Sequence, residues 1–185
     1  MAAWEWILIA IAAVIVLAAF AWNAFAARRR KGLQERFGSE YDRTVADAPS
    51  RRQGEADLTG REKRRQELEI RPLEPQAQQR YAAQWRGAQE HFVDDPAEAV
   101  GEADRLIQQV MRERGYPIDD FEQRAADLSV DHPGVISNYR AAHGISIASE
   151  RGKASTDDLR TAMVHYRTLF TDLLEEPEPA EVARS

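Results

Sequence analysis

The apolar positions of this chain fall into two regimes, one unbroken run near the start and several helical stripes after residue 75. From Trp6 to Ala27 there are 22 residues without a charge, and only Asn23 is strongly polar. About 20 apolar residues cross a hydrocarbon core of about 30 Å, so this run predicts a single N-terminal transmembrane helix over 6–27, behind a short N-terminal tail, 1–5. Trp4 and Trp6 stand at one end and Trp22 at the other, roughly 24–27 Å apart at helical rise, which marks two bilayer interfaces. Arg28, Arg29, Arg30 and Lys31 follow at once. Such a cluster holds its side of a span in the cytoplasm, so the N-terminus is expected outside and the rest of the chain inside. The competing reading is a cleaved signal peptide, for which Ala24-Phe25-Ala26 offers the small residues. Against it stand an uncharged-to-acidic start without Lys or Arg, an apolar run longer than the usual signal core, and the basic cluster directly after it.

The next stretch, Arg51 to Ile70, is dense in Arg, Glu and Gln, with only Ala56, Leu58, Leu68 and Ile70 apolar. Good helix formers with so little apolar surface predict a solvated, partly helical stalk within a basic juxtamembrane region, 28–72. Pro49 and Gly54 should break it, and Arg71-Pro72-Leu73-Glu74-Pro75 should end it, because the residue before each proline is pushed out of the helical region.

After Pro75 the stripes begin. Tyr81, Trp85, Ala88 and Phe92 recur at spacings of one helical turn. Asp95-Pro96-Ala97-Glu98 is a helix start, and Gly115 a stop. Asp119 to Glu122 opens another helix, Asp131-His132-Pro133 a third with Val135, Ile136, Tyr139, His143 and Ile147 inward, and Ser155-Thr156-Asp157-Asp158 a fourth running through Tyr166 and Phe170 to Leu173. The fold class expected is therefore all-α: the transmembrane helix, the charged stalk, and a bundle of about five short amphipathic helices over 73–176. A disordered acidic tail, 177–185, closes the chain. Tyr81, Trp85, Phe92, Tyr116, Phe121, Tyr139, Tyr166 and Phe170 are expected in the bundle core.

Charge divides the chain the same way. Residues 28–86 hold 15 basic and 10 acidic side chains, net +5, and residues 87–185 hold 10 and 20, net −10. The basic half suits anionic headgroups, and the lipid bilayer is one expected partner. The acidic bundle suits a protein partner with a basic surface. Of the 25 basic residues only Lys31, Lys63 and Lys153 are lysines, a bias that reads as codon composition. Acidic residues interleave with the stalk's bases and no aromatic is available to stack, so no nucleic acid is expected as partner.

Little chemistry is written in this sequence. With no cysteine, disulfides, thiolate metal sites and a Cys nucleophile are excluded. Nucleotide-binding, metalloprotease and hydrolase signatures are absent. His91, His132, His143 and His165 are never three or four apart, the spacing that offers two imidazoles to one metal. Asp94-Asp95, Asp119-Asp120 and Asp157-Asp158 sit where helices begin and read as caps. No catalytic, cofactor or metal residue is assigned. The assigned site is the membrane interface: Trp4, Trp6, Trp22, Arg28, Arg29, Arg30 and Lys31.

The strings Glu35 to Arg43, Ile70 to Leu73, Phe92 to Pro96, Val110 to Pro117, Phe121 to Pro133, Asn138 to His143 and Met163 to Arg167 together resemble a family of short bacterial proteins with one N-terminal hydrophobic segment, usually labelled hypothetical, secreted or membrane protein. The resemblance covers nearly everything from Leu33 to Leu174 and implies no catalytic residue. The function expected is a membrane-anchored, non-enzymatic interaction or scaffold protein with a cytoplasmic helical domain. The alternatives are a secreted or outward-facing cell-envelope protein, and an enzyme whose site is assembled from His132, His143, His165 and nearby carboxylates.

Overall fold

The computed structural model describes residues 3–175, with side chains described in α1 at Val14, Val16–Ala18 and from Phe20 onward. All eight helices among them are α-helices and none of the described residues forms a strand: α1 Ala3–Phe37, α2 Ser39–Asp47, α3 Arg51–Glu67, α4 Pro75–His91, α5 Pro96–Arg114, α6 Phe121–Asp131, α7 Ile136–Glu150 and α8 Thr156–Leu174. The described residues are all-α, as the periodicity required. The expected tail over 177–185 and the first two residues lie outside the described residues.

The bundle helices start and stop where local chemistry directs. Asp95 accepts from the Glu98 amide ahead of Pro96, and Ser155 and Asp158 form a reciprocal capping box. At Gly115 two requirements meet: φ is +98°, and an added Cβ would lie 2.5 Å from the Glu69 carbonyl oxygen. Only glycine satisfies both. Two expected boundaries move. The cap of α6 is Asp120, which accepts from the Gln123 amide at 2.8 Å, rather than Asp119. Asp131-His132-Pro133 ends α6 instead of starting α7, whose first residue is Ile136; His132 is drawn into the interior and turns the chain there.

Helix α8 packs between α5 and α7, α4 pairs with α5, and α6 lies against α7. Their inner faces form one core in which Tyr81, Trp85, Tyr116, Tyr139, Tyr166 and Phe170 are buried, with Phe92 and Phe121 partly buried at its edge. Trp85 and Phe170 stack with centroids 4.6 Å apart.

The stalk is where expectation and structure part. Residues 28–67 fold: Leu33 and Phe37 of α1, Tyr41 of α2, Leu58 of α3 and Val130 of α6 make a second core, with Phe37 and Leu58 fully buried. Gly54, expected as a breaker, lies inside α3, where an added Cβ would come within 2.9 Å of Val45 Cα. Its missing side chain lets α2 and α3 approach closely. Each helix contributes one or two apolar residues, too few to signal a core alone.

The backbone from Ala3 to Phe37 is one unbroken helix that contains the whole apolar run. Among the described residues no helix is long and apolar enough to cross a membrane, so the expected transmembrane helix finds no support there. The described side chains do show how that run sits. Val14, Val16, Leu17, Phe20, Trp22 and Phe25 are each 56–77 % exposed, and at about 100° per residue they spread over several sides of the helix.

Candidate interaction surfaces

Of the assigned interface residues, all seven lie on α1; the side chains of Trp4 and Trp6 are outside the described ones. Trp22 is exposed. Arg28 reaches no acidic partner among the described residues, Arg29 donates to Thr59 Oγ1 at 2.8 Å, Arg30 lies 3.3 Å from Glu55, and Lys31 lies 3.7 Å from Glu35 with both side chains largely exposed. Glu55 also accepts the Tyr41 hydroxyl at 2.9 Å. Burial, then that carboxylate, push the Tyr41 phenol above its ordinary range.

The two cores meet along a polar seam between α3 and α6. Arg61 donates to Glu40 at 2.9 Å and to Ser129 at 3.2 Å, Arg64 lies 3.8 Å from the buried Asp127, and Arg65 pairs with Asp131. Glu40 is only 2 % exposed, and its Oε1 also faces Arg140 at 3.1 Å and Arg43 at 3.4 Å. A buried carboxylate persists when several cations compensate its lost hydration. Nothing local in the sequence announced this group, because Arg140 stands 100 residues from Glu40.

A cleft of about 440 Å³ opens beside the seam, lined by Arg43, Arg61, Arg64 and Arg140 and by Asp47, Asp57, Asp120 and Glu122. Its carboxylates are committed: Asp47 to Arg43 at 3.6 Å, Asp57 to Arg61 at 2.7 Å, Glu122 to Arg140 at 2.6 Å, and Asp120 to the α6 cap. Balanced and internally paired, the cleft is a joint between the two cores.

Two further surfaces belong to the bundle. A groove of about 610 Å³ runs between α4 and α8, floored by Trp85 and Phe170 and edged by Arg86, Gln89 and Arg167. At the α4–α5 tip, Val93 is 83 % exposed, and Glu90, Asp94, Asp95 and Glu98 around it in sequence are all exposed. Near the base of α4, Tyr81 donates to Glu113 at 2.6 Å and Arg80 donates to the same oxygen at 2.8 Å. The Tyr81 hydrogen bond, then Arg80, hold the Glu113 carboxyl below the usual glutamate range.

The histidines go to separate places. His132 is buried and paired with Asp172, His165 lies 3.1 Å from Asn138, His91 lies 3.0 Å from Glu102, and His143 stacks on Phe121 with centroids 3.6 Å apart. Among the described residues no group of three or more His, Asp or Glu side chains could hold a metal ion. Asp104 does gather buried groups: Tyr166 donates to it at 3.0 Å, and its charge acts on Tyr139 and His143. Burial first, then Asp104, push Tyr139 up to about 12 and Tyr166 higher still. Both phenols remain protonated, and Tyr166 alone of the two donates to Asp104, which suits structure better than acid–base exchange near neutrality.

His143 has a measurable consequence. Burial lowers its pKa from 6.5 and Arg124 assists, while Asp104, Glu150 and Glu122 oppose. The folded state thus binds its proton less readily than the unfolded chain. Stability is complete above the unfolded value and declines as pH falls through about 6.5 toward the folded value. Chemical denaturation across this range should show that slope, and His143→Phe should flatten it. An unchanged slope would mean that His143 is not the titrating group.

No family model, no curated protein and no solved structure matches this chain.

Proposed function

We propose that this chain is a membrane-anchored, non-enzymatic interaction protein, with the N-terminus outside, α1 crossing the bilayer over 6–27, and the helical bundle in the cytoplasm. The observation that carries the reading is the apolar half of α1. Its described large side chains are all exposed on several sides of the helix, and an apolar surface of that extent needs a nonaqueous environment. The same helix then continues without a break, and Leu33 and Phe37 enter the second core. The anchor is therefore a structural member of the folded unit, and the bundle is held near the bilayer in a set orientation.

Separate histidines and committed carboxylates support interaction over catalysis. The acidic α4–α5 tip around Val93 is the surface best suited to a partner with a basic face. Such an attraction raises the association rate and weakens with salt.

Orientation is tested by fusions after Ser185. A cytoplasmic fluorescent reporter should be bright and alkaline phosphatase inactive, because four positive charges directly follow the span. Changing Arg28, Arg29, Arg30 and Lys31 together to Glu should weaken or invert that orientation. Active phosphatase on the unchanged chain would place the bundle outside the cell.

A further inference from the structure

We propose that the tip of the α2–α3 hairpin returns to the bilayer, so that Arg51 and Arg52 join Arg28, Arg29 and Lys31 in one collar that binds the headgroups of anionic phospholipids. The inference rests on the membrane-anchor reading above and adds a second contact to it, made by a part of the chain that the sequence assigned to a solvated stalk.

The second core sets the level of each element. Leu33, Phe37, Tyr41 and Leu58 meet there. Counting back along α1, the end of the apolar run at Ala27 lies about 9–15 Å from Leu33 and Phe37 at helical rise. Counting forward from Tyr41 along α2, or back from Leu58 along α3, the loop at Pro49 and Ser50 lies about 12 Å from the same core.

The directions agree. Gly38, with φ +51°, reverses the chain after α1. Helices α2 and α3 pack as an antiparallel hairpin, with Val45 against Gly54 and Tyr41 reaching Glu55. Helix α3 then leads away from the bilayer, because Arg30 meets Glu55 while Arg36, farther along α1, meets Glu62 at 3.5 Å. The hairpin tip and the start of the basic cluster therefore stand at the same height.

Charge supplies the ligand. Arg30 is spent on Glu55, but Arg28, Arg51 and Arg52 have no acidic partner among the described residues, and Arg29 is paired only with a hydroxyl. All four are exposed. Tyr41 feels the positive charge of both Arg30 and Arg51, which brings the two clusters into one neighbourhood. Four exposed guanidinium groups, with the largely exposed Lys31 ammonium beside them, suit several phosphate headgroups at bilayer height.

The absence of cysteine makes the test direct. The full chain is reconstituted into nanodiscs of phosphatidylcholine, alone or mixed with phosphatidylglycerol, carrying one spin label at Ala21→Cys, Pro49→Cys or Val93→Cys. Depth is read from relaxation by oxygen against a water-soluble nickel complex. The Ala21 label should lie in hydrocarbon and the Val93 label in water in both discs. The Pro49 label should lie at headgroup depth, with greater protection from nickel when phosphatidylglycerol is present. Adding Arg51→Glu and Arg52→Glu should abolish that gain while the helical signal and the Val93 label stay unchanged. A Pro49 label as accessible as Val93, with Ala21 still in hydrocarbon, overturns the collar and leaves the anchor standing. A protected Pro49 label that ignores both phosphatidylglycerol and the charge reversal overturns headgroup binding. An Ala21 label in water overturns the anchor, and the collar falls with it.

Discussion

Trp85→Ala is expected to destabilise the protein by about 3–5 kcal/mol, the usual range for truncating a buried large aromatic. The ring is 6 % exposed and stacks on Phe170 at an interplanar angle of 17°. Helix α4 packs principally on α5, and the Trp85–Phe170 stack is its link across the groove to α8. Losing the ring removes apolar burial and the stacking contribution together, because backbone elements cannot close the gap it leaves. Urea unfolding of the full chain in detergent should report the loss, and amide exchange should rise first in α4. A change well under 1 kcal/mol would place the ring at the surface and turn the groove into a binding face.

The second large effect is expected at Glu40. Glu40→Ala should cost about 1–3 kcal/mol, because it takes from Arg61, itself 8 % exposed, one of its two carboxylate partners, Asp57 at 2.7 Å remaining, and takes one acceptor from Arg140. The damage should spread beyond α2, since Arg61 reaches Ser129 on α6 and Arg140 belongs to α7. Glu40→Leu combined with Arg61→Met should recover much of the loss, since removing both partners of a buried pair costs far less than removing one. The same unfolding measurement decides it, with exchange protection read across α2, α3 and α6. A single-variant loss below about 1 kcal/mol would mean that water reaches the seam and the charges are already solvated.

The seam shows why half of this fold was hidden. In the bundle, each helix carries its own instruction: Asp95 and Pro96 open α5, Gly115 ends it, Ser155 and Asp158 open α8, and the aromatic stripe repeats every turn. In 28–67 the instruction is shared. Leu58 is the only large apolar residue of α3 in the second core, and Val130 reaches that core from a helix whose Ala125 and Leu128 serve the bundle. The bases of α3 looked like a solvated face, yet Arg61 is buried because Glu40 and Ser129 come to it from elsewhere. His132 was misread for the same reason: beside Pro133 it looked like a helix start, and its partner Asp172 lies 40 residues away.

What the sequence determined by itself is what short-range physics decides: the all-helical class, the bundle helices with the caps of α5 and α8, the aromatic core, the apolar run of α1 and the split of charge along the chain. Those features depend on residues within one helical turn of each other, or on composition alone. Only the tertiary structure decided that 28–67 folds into a second core, that Glu40 is buried among arginines from three other positions, and that α1 runs from its exposed apolar half straight into that core. Each of these depends on groups far apart in sequence, where the free energy of burying one side chain is settled by partners that no local pattern names.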